Sequence, residues 1–414
     1  MRGLAAAALF ACALLATGCG ESVDPAPPAP DPNARPAGWG PVVADDELLT
    51  PTRGAVIADR SGEFSYMGSA LNVIDADNAT QWVSPPKDPV QWVVIELPAM
   101  SRIRRVGAST GEPYAPSSPV KTLRFEGSRD GRTFTALRTI DVEPKKNDQL
   151  FDIEPADVRF LRVTTLANHD NPNVTIVPTL HLRGEELEPV APPSFSGRWE
   201  VNGESLELSQ DGNTLYGALK IDPPMLFCGV VTGRVARLAW SRGNEKGIAW
   251  LAVNPSSAKL SGTWWWLDPN LNFYFGEAWI GDRTGEAPRF TVPIPKVADV
   301  HLRKVGRFPL YGLVVRPDGE LDVEASASGL TFVREALAAF PTYRVRLELV
   351  ECDSWVEAKN LERGHARAAK LAASLERAGL PKERLLIQAR SRTDLHSVRQ
   401  RLMYDQVEFS LAGN

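Results

Sequence analysis

Leu123-Arg124-Phe125-Glu126-Gly127-Ser128-Arg129-Asp130-Gly131-Arg132-Thr133-Phe134 reads as a strand, a tight turn and the return from it. Apolar and polar side chains alternate over Leu123 to Gly127, the period of a half-buried strand, and Asp130-Gly131 is a dipeptide that accepts the positive φ of a hairpin. Gln91-Trp92-Val93-Val94-Ile95-Glu96-Leu97 upstream and Arg159-Phe160-Leu161-Arg162-Val163-Thr164 downstream are further runs of β-branched and aromatic residues. No helical period is sustained from Asp45 to Leu187, so this region is predicted to be an antiparallel β-sandwich.

The order of features across residues 45–187 resembles the discoidin, or coagulation-factor type C, domain. The residues that carry the resemblance are Ala70-Leu71-Asn72-Val73-Ile74-Asp75-Ala76-Asp77-Asn78-Ala79-Thr80-Gln81-Trp82, then QWVVIEL, FEGSRDGRTFTAL, VRFLRVTT and LHLRG. It implies an eight-stranded jelly roll whose loops at one end bind sugars or other surface ligands, often with a structural calcium near Asp-x-Asp-x-x-Thr. Hard oxygen ligands at Asp75, Asp77 and Thr80 would suit calcium. Pro178, Thr179 and Leu180 stand where many members carry an acidic residue, and the alternative is that Asp75 and Asp77 cap a turn. A sugar site needs an aromatic face beside planar polar groups. Tyr66 and Tyr114 lie in turn-rich loops and His169-Asp170-Asn171 in another, whereas Trp82 and Trp92 fit the core better.

After the polar, Pro-containing run Glu188 to Pro193, residues 194–303 form a second region. Leu206-Glu207-Leu208-Ser209-Gln210-Asp211-Gly212-Asn213-Thr214-Leu215-Tyr216-Gly217 is strand, turn, strand. Gly233 to Trp240, Gly247 to Leu251 and Leu260 to Trp266 repeat the theme with Gly-x-Trp spacing. Trp199, Trp240, Trp250, Trp264, Trp265, Trp266 and Trp279 place seven of the 11 tryptophans here. The expectation is a small up-and-down barrel with tryptophans filling its interior, an aromatic-lined pocket being the alternative. The resemblance to lipocalin- or avidin-like barrels is at the level of fold and carries no ligand with it.

From residue 306 the period changes again. Tyr311 to Val315 reads as a strand, Gly329 to Phe340 as a helix, Tyr343 to Val350 as an alternating strand and Glu357 to Ala378 as a long helix. The apolar face of that helix runs through Leu361, Ala368, Leu371, Ala372 and Leu375. A strand at Arg384 to Gln388, a short helix near His396 to Met403 and a last strand at Gln406 to Leu411 complete an α/β sandwich over 306–414. Asp353 after the strand VRLELVEC, Asn360 seven residues before Arg367-Ala368, and Arg401 six before Val407-Glu408-Phe409 resemble the C-terminal domain of outer-membrane protein A. That resemblance implies non-covalent binding of peptidoglycan, with Asp353 and Arg367 gripping the ammonium and carboxylate of diaminopimelate and with Asn360 and Arg401 at family positions. A zwitterionic head needs one fixed carboxylate and one fixed guanidinium, so the chemistry is coherent. The family's Gly-His-Thr is Val350-Glu351-Cys352 here, its Leu-Ser is Arg363-Gly364, and its paired arginines are Asp405-Gln406.

At the other end, Met1-Arg2 and the short apolar run LAAAALFACALLAT form a secretory signal over 1–18, too short to span a bilayer. Ala16-Thr17-Gly18-Cys19 resembles the bacterial lipobox, which implies cleavage before Cys19 and lipidation of that residue; Gly20 rather than Asp after it favours the outer membrane. Residues 19–44 are Pro- and Ala-rich and read as a semi-rigid tether.

Composition narrows the function. The 414 residues carry a net charge of −5, which disfavours a nucleic-acid partner because phosphate neutralisation needs a basic face. Of the four cysteines, Cys12 and Cys19 belong to export. Cys228 and Cys352 either staple two domains or are isolated buried thiols. Gly107-Ala108-Ser109-Thr110-Gly111 has the nucleophile-elbow spacing, but no helix follows it, and the five histidines lie apart in sequence. The expectation is a non-enzymatic outer-membrane lipoprotein, on the periplasmic side, that binds peptidoglycan through its last domain and glycans through its first. The rivals are a last domain that docks an envelope protein instead, and a hydrolase with its site in the Trp-rich region.

Overall fold

A computed structural model describes residues 44–65, 68–78, 80–111, 119–170, 173–188, 191–267, 277–287, 289, 294–395, 398–404 and 406–413. The first region contains β1 (Val56–Arg60), β2 (Trp82–Val83), β3 (Trp92–Ser109), β4 (Val120–Ser128), β5 (Thr135–Asp141), β6 (Gln149–Asn168), β7 (Ile176–Val177) and β8 (Thr179–Glu186). Six of them form a sheet in the order β1-β3-β6-β4-β5 with β8 also on β3, and β2 pairs with β7. The two long strands change partner along their length. Trp92 to Glu96 of β3 pairs with β1 and the end of β6, whereas Ser101 to Ala108 pairs with β8 and the start of β6. That switch folds one sheet over a core of Val93, Ile95, Phe125, Leu161 and Leu182.

The turn after β4 is longer than a two-residue hairpin. Asp130 accepts from the Arg132 and Thr133 amides at 2.9 Å and from the Ser128 hydroxyl, which holds its carboxyl down to about 2, and Gly131 takes a φ of +73°. An Asp at this position therefore caps the turn that the Gly makes.

The second region is a closed eight-stranded barrel of β9 (Gly197–Val201), β10 (Glu204–Asp211), β11 (Thr214–Leu219), β12 (Met225–Thr232), β13 (Val235–Arg242), β14 (Glu245–Val253), β15 (Lys259–Trp266) and β16 (Glu277–Gly285). Sequential strands pair antiparallel, and β16 closes on β9. Trp199, Trp240, Trp264 and Trp279 fill the interior with Leu206, Leu208, Leu215 and Leu238, so the tryptophans are core side chains, as a packed small barrel requires. Trp250 and Trp265 face outwards and are buried against the neighbouring regions. Gly247 has no room for a side chain, since a Cβ there would lie 1.8 Å from the Trp265 carbonyl oxygen and 2.4 Å from the Trp240 ring.

A helix that the sequence pattern hid follows: α1 (Ile294–Val305) packs on the outside of β12 to β14. Pro293 and Pro295 obscure its period, although Pro in the first turn is compatible with a helix. The third region holds β17 (Phe308–Pro309), α2 (Ala327–Ala339), β18 (Arg344–Glu351), α3 (Glu357–Arg377), β19 (Leu385–Ser391), α4 (Val398–Tyr404) and β20 (Gln406–Ala412). Its sheet runs β17-β20-β18-β19, with β18 parallel to β19 and antiparallel to β20. The strand expected at Tyr311 to Val315 is instead a turn. Pro309 ends the two-residue β17, Leu313 N bonds Leu310 O at 3.1 Å, and the Tyr311 hydroxyl donates to the Met403 carbonyl at 2.9 Å. Helix α3 lays Leu371 and Leu375 into the core and brings Gly364 against Ala389 of β19, 2.7 Å from where a Cβ would stand.

Candidate functional site

One end of the jelly roll gathers the loops that its resemblance points to. Phe64 N bonds Val83 O at 2.8 Å, Lys87 N bonds Asn173 O at 2.8 Å and His169 N bonds Pro119 O at 3.0 Å. These ties draw the segments after β1, before β3, before β4 and after β6 to one rim. Phe64 (60% exposed), Val90 (52%) and Leu166 (38%, near the end of β6) are exposed apolar side chains in or beside those segments. His169 is anchored by a ring nitrogen on the Val142 carbonyl at 2.8 Å, and Asp170 beside it is exposed. Sequence reasoning missed Phe64, Val90 and Leu166, because an exposed apolar residue is indistinguishable from a core one until the loops are placed. Tyr66, Tyr114 and Asn171 lie outside the described residues, as does Cys19. Trp82 is core, with its indole N–H on Gly62 O at 3.0 Å, while Trp92 is half-buried.

In the Asp75, Asp77 and Thr80 group, the Asp75 carboxylate caps the turn. Asp75 is fully buried, and its two carboxylate oxygens accept from the Asp77 amide at 2.9 Å and the Thr80 hydroxyl at 2.7 Å. The Asp75 oxygens are thus engaged by donors of the turn itself, whereas calcium needs six to eight oxygen ligands. Among the described residues no grouping of three or more His, Cys, Asp or Glu could hold a metal ion. The turn-cap alternative describes this segment.

At the carboxyl end of β18, Asp353 and Arg367 belong to one chain of charges. Glu351, fully buried, receives Arg367 at 2.5 Å on one oxygen and Arg363 Nε at 2.5 Å on the other. Arg363 in turn pairs with Asp353. Two acids and two arginines alternate, so the guanidinium of Arg367 is already met by a carboxylate of its own chain. Asn360 is buried and staples the loop, accepting from Ser354 N at 3.0 Å and donating to Ser354 O at 2.8 Å and Ser391 Oγ at 3.1 Å. Arg401 reaches the Leu395 carbonyl at 3.4 Å, and its own carbonyl accepts from the Cys352 thiol at 3.4 Å.

Residues far apart in sequence meet behind β3. Ser109 Oγ lies 2.8 Å from His181 Nε2, and His181 Nδ1 lies 3.2 Å from Glu47 Oε2. The connectivity is that of a nucleophilic triad. Ser109, however, is buried at the end of a paired strand, and its oxygen already accepts the Asp148 amide at 3.0 Å. Glu47 also takes the Leu182 amide at 2.9 Å, so the group pins the segment before β1 across β8. His181 meets these partners through the fold, by the β3–β8 pairing that sets Gly107 opposite it. Cys228 and Cys352 are separate buried thiols, and burial pushes Cys228 up to about 12. No helix among the described residues is long and apolar enough to cross a membrane.

Residues 57–179 match the model of the F5/8 type C domain family, so a discoidin-like domain occupies that part of the chain. No curated protein matches the chain. It is similar to the solved CBM32-3 of a family 31 glycoside hydrolase from Clostridium perfringens, with 16% identity over 34% of this chain and 96% of that one and a TM-score of 0.31. It is also similar to the C-terminal domain of a chitobiase from Bacteroides fragilis, with 20% identity over 34% and 100% and a TM-score of 0.31. Chitosan-binding module 1 of a chitosanase/glucanase from Paenibacillus sp. IK-5 shows 16% identity over 33% and 98% and a TM-score of 0.28.

Proposed function

We propose that this chain is a non-enzymatic cell-envelope lipoprotein, anchored in the outer membrane through lipid on Cys19, that binds glycans with the loop end of its jelly roll. The observation that carries the glycan reading is the exposure of the apolar Phe64, Val90 and Leu166 in or beside these loops of the discoidin-like domain. A pyranose presents a C–H face that stacks on an aromatic ring and hydroxyls that need fixed polar partners. Phe64 supplies the ring, and His169 and Asp170 supply polar groups on the adjoining loop. Isothermal titration against a panel of oligosaccharides tests this: Phe64→Ala is expected to weaken binding about tenfold, the scale of one aromatic contact. Equal affinity for Phe64→Ala and the unaltered chain would discard the rim as the site. Lipidation is tested by feeding labelled palmitate to expressing bacteria; the Cys19→Ala variant is expected to carry no label.

For the α/β domain, the resemblance in Asp353, Asn360, Arg367 and Arg401 supports peptidoglycan binding, and a sheet order of first, fourth, second, third strand is compatible with it. A second reading is favoured by Glu351. An internal carboxylate already engages Arg367, which suits a domain that has exchanged peptidoglycan for a protein partner. Sedimentation with purified sacculi separates the two. Retention lost in Asp353→Ala and Arg367→Ala supports the first; no retention of the unaltered chain, with stoichiometric recovery of an envelope protein, supports the second.

A further inference from the structure

The sheet of the α/β domain has one face that its longer helices leave alone. Leu347 stands opposite Phe409 and Ile387, and Phe409 opposite Phe308, so these side chains share a face. Phe332 of α2 packs its ring 5.7 Å from that of Phe308 and 4.8 Å from that of Phe409. His301 of α1 meets Phe308 at 5.3 Å, and Gly364 of α3 lies on Ala389. All three helices therefore pack on that one face. The alternate residues point the other way: Arg344, Arg346 and Glu348 of β18, Gln388 and Arg390 of β19, and Glu408 of β20. Gln388 is exposed there, and Arg346 and Arg390 are half-buried.

Charge on this open face does not balance. Glu348 and Glu408 stand opposite each other; Arg307 lies 3.8 Å from the first and 3.3 Å from the second, and Arg390 lies 2.7 Å from the second. Arg307 and Arg390 thus answer both carboxylates, and two further guanidiniums remain. Arg344 donates to the Leu385 carbonyl at 3.1 Å and meets no acid among the described residues. Arg346 makes no hydrogen bond or ion pair among the described residues, and its Nε is buried. A buried donor without an acceptor is costly, and a carboxylate answers it best, because it can take two guanidinium N–H groups at once. Beside Arg344 the chain exposes two rings: Phe340 and Tyr343 are each 42% exposed, with centroids 6.0 Å apart at 82°. Arg384 fixes this turn by donating to the carbonyls of both residues, at 2.9 and 2.7 Å. Arginine beside fixed aromatic rings is a composition enriched at protein–protein hot spots. A neutral sugar offers no charge for Arg346, and a phosphate surface offers nothing for the rings. A protein segment offers both a carboxylate and an apolar side chain.

We infer that this open face docks an acidic segment of a protein partner, with a carboxylate seated on Arg346 beside Arg344 and an apolar neighbour resting on Phe340 and Tyr343. The inference rests on the protein-partner reading of the α/β domain and names the surface and the chemistry that reading leaves open. The test uses the full chain in expressing bacteria, with the photo-cross-linker p-benzoylphenylalanine replacing either Gln388 on the open face or Glu362 on the exposed side of α3. Irradiation is expected to join the Gln388 probe to one envelope protein, and mass spectrometry of the adduct to map a segment rich in Asp and Glu. Arg346→Gln is expected to lower the yield of that adduct about tenfold. Arg346→Lys keeps the charge and the aliphatic stem, so it is expected to retain more adduct than Arg346→Gln, a ranking that loss of fold alone does not produce. A lipid, a glycan strand or a second copy of this chain on the Gln388 probe would overturn the inference, as would a mapped segment without acidic residues or a yield unmoved by Arg346→Gln. A protein adduct at Glu362 with none at Gln388 would overturn it while leaving the protein-partner reading standing. No protein adduct at either position, with the chain retained on sacculi, would remove both.

Discussion

His301 on α1 is fully buried against the barrel, with Nε2–H on the Trp240 carbonyl at 2.9 Å and its ring edge-on to Phe308. Burial, aided by the charge of Lys246, pulls its pKa from 6.5 down to about 3. Between those values the unfolded chain binds a proton that the folded one refuses, so stability is lost as pH falls below 6.5. The slope approaches 1.4 kcal/mol per pH unit, or about 2 kcal/mol between pH 7 and pH 5. Urea unfolding at the two pH values is expected to show that loss in the unaltered chain and not in His301→Gln; identical pH dependence would remove the assignment. Glu351 gives the complementary case of a buried charge that is paired. Glu351→Ala removes the buried carboxylate that Arg363 and Arg367 share, and breaking a buried pair from one side costs about 3 kcal/mol or more. A measured loss below about 1 kcal/mol would mean that solvent already screens the network.

At the level of elements, what the sequence made legible is what local chemistry alone decides. The Asp211-Gly212-Asn213 turn closes Asp211 on Thr214, and Gly212 takes a φ of +55°. Gly247 shows a constraint set across strands, for it faces Trp240 and Trp266 on its two neighbouring strands. Gly247→Ala is therefore expected to force the Trp240 and Trp265 strands apart and to cost about 1–3 kcal/mol or more in chemical denaturation, whereas Gly285→Ala, with open space around it and no positive φ, meets no such clash. Equal melting of the two variants would show that the barrel yields at Gly247. Helix α3 was legible too, since Leu371 and Leu375 recur at helical spacing and Gly379 ends it at a φ of +84°. Illegible were the features that tertiary partners create. Helix α1 hides behind two prolines, β17 is a two-residue pairing set by β20, and the Glu351 clamp requires β18 and α3 to be docked. The candidate glycan rim was half legible: His169 and Asp170 stand out as polar residues in a loop, but Phe64 becomes a candidate only once its exposure is known.

Across the whole molecule, the jelly roll and the barrel are joined by buried polar contacts rather than by a linker alone. The Ile57 amide donates to Ser261 Oγ at 2.9 Å, and Asn254 Nδ2 donates to Glu96 Oε2 at 2.7 Å, while Arg159 holds the other Glu96 oxygen at 3.0 Å. Arg234 of the barrel grips both oxygens of Glu186 at 3.0 to 3.1 Å, and Gly54, at a φ of +84°, lets the chain pass 2.7 Å from the Arg234 Cβ as measured from an added Cβ. A bidentate guanidinium–carboxylate pair fixes direction as well as distance. Two regions coupled in this way should unfold together, because opening either one strips partners from buried groups of the other. Differential scanning calorimetry is expected to show one transition covering both regions. Asn254→Ala leaves a buried Glu96 oxygen unmet and should cost about 1–3 kcal/mol; combined with Arg234→Ala it should split that transition, with the jelly roll and the barrel melting apart. Two separate transitions in the unaltered chain, or an unsplit one in the double variant, would show that these contacts touch without coupling.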